Sequence, residues 1–90
     1  MVTRLYSIKD NKVGSFGTVH ACNNKVDVIR ELEQVVNEPT NKIGMYPEDF
    51  DLYMIAEFDM ETGKITPTTN PEFVTNCYSL KRNGGKKDEG

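Results

Sequence analysis

Residues 52–58, Leu-Tyr-Met-Ile-Ala-Glu-Phe, alternate with a period of two. Leu52, Met54, Ala56 and Phe58 fall on one side of an extended chain, and Tyr53, Ile55 and Glu57 on the other. Successive side chains of a strand point to opposite faces, so this pattern specifies a strand. Its first face is wholly apolar and its second half apolar, which predicts a central position in a sheet, with neighbours along both edges. The flanks agree. Pro47-Glu48-Asp49-Phe50 is predicted as one helical turn with Pro at its first position, and Thr62-Gly63 as a chain reversal.

The other elements follow from the same periodicity argument. Residues 3–9 alternate, with Arg4, Tyr6 and Ile8 on one face and Tyr6 and Ile8 expected toward the core. Val13–Ala21 is predicted as a second strand. Its Gly14 and Gly17 suggest a bulge, an edge, or a close approach of backbone. Asn23-Asn24 offers an N-cap, and from Lys25 the spacing becomes helical. Val28, Leu32, Val35 and Val36 form one stripe with Ile29 at its edge, while Asp27, Arg30, Glu31, Glu33 and Gln34 take the wet side. Pro39 closes the helix. Residues 40–50 are expected as a connector, Ile65-Thr66 as the start of a return strand, Pro67–Pro71 as a loop, and Glu72–Leu80 as the last strand. The expected fold is α+β: a small antiparallel sheet in the order β-β-α-β-β with one helix packed on one face.

Ninety residues support one domain, expected over 1–80, followed by a flexible charged tail over 81–90. With 37% hydrophobic residues and no Trp, the core of so small a domain is thin, which makes self-association plausible. The net charge of −3 is unevenly spread, because residues 48–72 hold seven acidic side chains and only Lys64 against them. Cys22 and Cys77 do not make a disulfide-dense framework, and the expected state is reduced thiols in a cytoplasm. No apolar run reaches the roughly 20 residues of a membrane span, so no membrane association is expected.

The residues with chemical potential do not converge on a reaction. Glu48, Asp49, Asp51, Glu57, Asp59 and Glu61 lack the alternate-ligand register and central glycine of a calcium loop. His20, Cys22 and Cys77 offer three soft ligands where a closed structural zinc site needs four. Gly14 and Gly17 lack the lysine and the strand-to-helix placement of a phosphate-binding loop. The expectation is therefore no catalytic residue, no metal, no cofactor and no enzyme. Nucleic-acid binding remains open, because single strands are held by aromatic platforms beside cations even on proteins that are not basic overall. The candidates for stacking are Tyr6, Phe16, Tyr53 and Tyr78. For phosphates they are Arg4, Lys9, Lys12, Lys81, Arg82, Lys86 and Lys87. Tyr53 and Ile55, on the second face of their strand, are equally candidates for a protein interface.

Met45–Lys64, MYPEDFDLYMIAEFDMETGK, resembles a signature of the short nonstructural proteins of gokushoviruses, small single-stranded DNA phages of the microvirus family. The stretch LYSIKDNKVGSFGTV is similar to their opening strand, D-x-K turn and phenylalanine-containing strand, and the helix leaving through Val36-Asn37-Glu38-Pro39 matches as well. The likeness covers roughly residues 4–80. It implies a non-virion protein made in the cytoplasm of an infected bacterium, associated with DNA and assisting genome replication or packaging. The alternative is a homodimeric adaptor for viral or host replication and assembly proteins without direct DNA contact.

Overall fold

The computed structural model describes residues 1–82. Its elements run β1 (Val2–Asp10), β2 (Ser15–Cys22), α1 (Lys25–Val36), α2 (Lys42–Met45), a 3-10 turn (Pro47–Asp49), β3 (Phe50–Asp59), β4 (Ile65–Asn76) and a second 3-10 turn (Cys77–Leu80). The four strands form one antiparallel sheet in the order β2-β1-β3-β4. β3 therefore has a neighbour on each side, as its two-sided apolar pattern predicts.

The local signals act where expected. The Asn24 side chain accepts from the Asp27 amide at 2.9 Å and starts α1. The helix stops at Val36, three residues ahead of Pro39. There Asn37 caps it, donating from Nδ2 to the Glu33 and Leu80 carbonyls. Gly14 and Gly63 both lie at positive φ, +83° and +78°, where a side chain is strained. Val13 and Gly14 consequently belong to the β1–β2 turn rather than to the strand. Val28, Leu32 and Val36 of α1 share one hydrophobic cluster with Tyr6, Cys22, Phe50, Leu52 and Cys77.

Several findings differ from the sequence reading. The connector over 40–50 contains α2, capped by Asn41, whose Oδ1 accepts from the Gly44 amide at 2.8 Å. The return strand is a single β4, not two pieces, and the expected strand end at 77–80 is a 3-10 turn. Pro67 and Pro71 are tolerated because β4 is an edge strand, whose outer amides need no ladder partner. The register between β3 and β4 is also broken in two places, leaving Val74 and the segment 68–71 as extra residues.

The most consequential difference is in β3 itself. Tyr6 pairs with Met54 and Leu5 with Ala56, so Ile55 is an extra residue with no partner on β1. A one-residue bulge exchanges the faces beyond it. Leu52 and Met54 thus stand with Tyr6 and Ile8 on the face that joins α1. Ala56 and Phe58 stand with Leu5 and Thr3 on the opposite face, which we term the open face.

Candidate functional site

The open face collects side chains from all four strands. β1 contributes Thr3, Leu5, Ser7 and Lys9. Cross-strand partners point the same way, so Phe16 (opposite Lys9) and Val19 (opposite Ser7) join from β2, Tyr53 (opposite Ser7) from β3, and Phe73 (opposite Tyr53) from β4. Phe16, Tyr53 and Phe73 make a row. The Phe16 and Tyr53 rings are 5.3 Å apart at 66°, and the Tyr53 and Phe73 rings 5.8 Å apart at 78°, both edge to face. The Lys9 ammonium lies 5.8 Å from the centre of the Phe16 ring, a cation–π arrangement.

The row stays accessible. Phe16 is 42% exposed and Phe73 58%, while Tyr53 between them is half-buried. Ser7 beneath is 1% exposed and donates from Oγ to the Gly17 carbonyl at 3.0 Å. Beside the row on β3, opposite Lys9, the Asp51 carboxylate accepts from Asn11 at 2.9 Å and from Asn76 at 2.7 Å. These bonds hold the β1–β2 turn and the end of β4 to the central strand. Chemically, the row offers ring faces and edges, with the Lys9 ammonium on one side and the Asp51 carboxylate opposite Lys9, an arrangement suited to stacking planar groups.

Of the residues singled out from sequence, Lys9 and Tyr53 meet here, together with Phe16. Tyr6 does not. It is 2% exposed in the core, where burial raises its hydroxyl pKa, so its ring is not presented for stacking. Arg4 is exposed on the α1-bearing face and donates to the Asn23 carbonyl at 3.4 Å. Lys12 is exposed in the β1–β2 turn. Tyr78, 61% exposed, stands on the 3-10 turn after β4, outside the sheet. Ile55 is the bulge residue and no longer shares a face with Tyr53 through regular alternation.

Lys81 and Arg82, expected in a loose tail, are engaged with the fold. The Lys81 ammonium donates to the Gly44 carbonyl at 3.2 Å and the Val36 carbonyl at 3.5 Å, and Arg82 pairs with Glu33 at 3.2 Å. Lys86 and Lys87 lie outside the described residues. The member of the aromatic row that sequence reasoning missed is Phe73. Its signal was the aromatic and β-branched run FVT, but the extra residue Val74 breaks the alternation that would have assigned it a face.

Two acidic residues of the middle segment secure the β3–β4 turn and the N-terminus beside it. Asp59 accepts from the amides of Glu61 at 2.9 Å and Thr62 at 3.4 Å. Those backbone bonds, the Glu61 amide foremost, lower its pKa. Glu61 pairs with the Met1 amine at 2.9 Å. Cys22 and Cys77 are free and buried, and His20 is exposed on β2. No helix among the described residues is long and apolar enough to cross a membrane.

The site is an open surface on a four-stranded sheet rather than a closed cavity. The family model of the Phage ORF5 protein matches residues 3–80, and the chain belongs to that phage protein family. No curated protein and no solved structure gives a significant match.

Proposed function

We propose that this phage protein is a non-enzymatic accessory factor of a small single-stranded DNA phage of the gokushovirus type. It assists genome replication or packaging in the host cytoplasm by binding exposed single-stranded DNA on its open sheet face. The supporting observation is the Phe16–Tyr53–Phe73 row with Lys9 beside it. Unpaired bases present ring faces that duplex DNA keeps stacked, and aromatic side chains on a sheet take them without regard to sequence. With so few cations at the row, most of the affinity comes from stacking, and the salt dependence is correspondingly shallow. Anisotropy titration of a labelled oligothymidine tests this. Binding that weakens gently with salt and is displaced by unlabelled single strand but not by duplex is the expected result. No binding at low salt overturns it.

A second reading is favoured by the acid excess over residues 48–72 and by exposed Val19 and Phe73 on the same face. Here the protein is an adaptor for viral or host replication or assembly proteins. Recovery of a defined phage or host protein by the wild type and not by Phe73→Ala, together with no oligonucleotide binding, would favour it.

A further inference from the structure

We propose that two copies of this chain pair antiparallel through β2, edge to edge, making one eight-stranded sheet with both aromatic rows on the same face. The sheet has two edges, β2 and β4, and they differ. β4 carries Pro67 and Pro71, Glu72, and two register breaks, all devices that stop a strand from templating another. β2 has none of the first three. Its sequence, SFGTVHAC, contains no proline, lysine, arginine, aspartate or glutamate, and every residue from Ser15 to Ala21 is exposed. Its one irregularity is the break between Ser7 and Lys9 of β1, which leaves Val19–Cys22 in regular register.

An unblunted edge displays unpaired amides and carbonyls. The absence of Lys, Arg, Asp and Glu from this edge, where His20 is the one titratable side chain besides Cys22, selects the occupant: a second β2 brings no carboxylate or ammonium against it, and nothing on it recruits a strongly charged strand. Because only one edge is open among the described residues, pairing closes at two copies rather than growing into a fibre. The apolar crevice beside β2 favours the same arrangement. Tyr6, Val28, Leu32 and Leu52 line it together with His20 of β2 and Glu31 of α1, and a second strand along β2 would lie beside its mouth.

The two-fold axis between antiparallel strands stands perpendicular to the sheet, so the open faces of both copies look the same way. Each copy thereby contributes a Phe16–Tyr53–Phe73 row to one surface. The pairing stands independently of the DNA reading, and only this consequence rests on it. A single oligonucleotide spanning both rows would gain avidity without new contacts.

Sedimentation velocity across low to several hundred micromolar protein, without nucleic acid, tests the pairing. The expected result is a concentration-dependent species of twice 10.2 kDa. Val19→Lys places a charge on the exposed edge and is expected to raise the dissociation constant about tenfold or more, with unchanged circular dichroism. Hydrogen exchange on the wild type provides a readout that needs no variant, since the β2 amides should gain protection as concentration rises. A constant 10.2 kDa species, or β2 amides whose exchange ignores concentration, overturns the proposal. A monomer that binds oligothymidine rejects the pairing alone, and a dimer that does not bind rejects the DNA reading alone.

Discussion

Phe16 and Tyr53 lie on strands that are not neighbours, yet their rings are 5.3 Å apart. β1 runs between them, and adjacent strands are spaced roughly 4.8 Å, so the two backbones stand about twice that distance apart. Both rings must therefore lean over β1. They do so above Ser7, which is 1% exposed and small enough to fit beneath. Ser7→Leu would force the rings apart. We expect a loss of about 1–3 kcal/mol in urea unfolding from overpacking. Altered ring-current shifts of Phe16 and Tyr53 should accompany it.

Phe73→Ala separates binding from folding. The ring is 58% exposed, so its removal should hardly change the urea midpoint. If it stacks a base, stacking of about 1–3 kcal/mol predicts roughly a 5- to 150-fold weaker oligothymidine affinity by anisotropy.

Lys81→Glu should do the reverse. Its ammonium meets the last carbonyl of α1 and that of Gly44, where a cation complements the helix dipole and a carboxylate repels it. The expected cost is about 1–2 kcal/mol of stability, with oligonucleotide affinity and its salt slope unchanged.

Gly44→Ala tests the unanticipated α2. A Cβ on Gly44 would overlap the Glu38 carbonyl oxygen, which is backbone and cannot swing away. Thermal unfolding should show destabilisation of about 2 kcal/mol or more.

Cys77 makes stability fall with alkaline pH. Burial pushes its thiol up from 9.0 to about 12, with the nearby Asp51 carboxylate adding to the shift. Between those values the unfolded chain loses this proton and the folded chain keeps it. Stability from this group is thus whole below pH 9.0 and declines as pH rises toward about 12. Tyr6, raised by burial, acts with the same sign. Urea midpoints should fall steadily above pH 9, and less steeply in Cys77→Ala. At pH 8 Cys77 should react with a disulfide reagent only as fast as the protein opens.

The sequence by itself determined the elements with strong local causes. The stripe Val28, Leu32 and Val36 behind Asn24 made α1, the two-sided pattern of 52–58 made a central strand, and Gly63 turned the chain. Each depends on periodicity or backbone freedom within a few residues. Only the tertiary structure decided the faces. Ile55, Val74 and one of the two residues Gly17 and Thr18 that face Ile8 become extra residues solely because of what the neighbouring strand offers, and each such insertion reverses the side-chain assignment beyond it. That is why Ala56 and Phe58 left the expected face, and why Phe73 could join Phe16 and Tyr53. Lys81, which reads as tail, became a helix cap because the chain returns to the end of α1. Pairing register is a property of two segments at once, and a pattern within one segment cannot contain it.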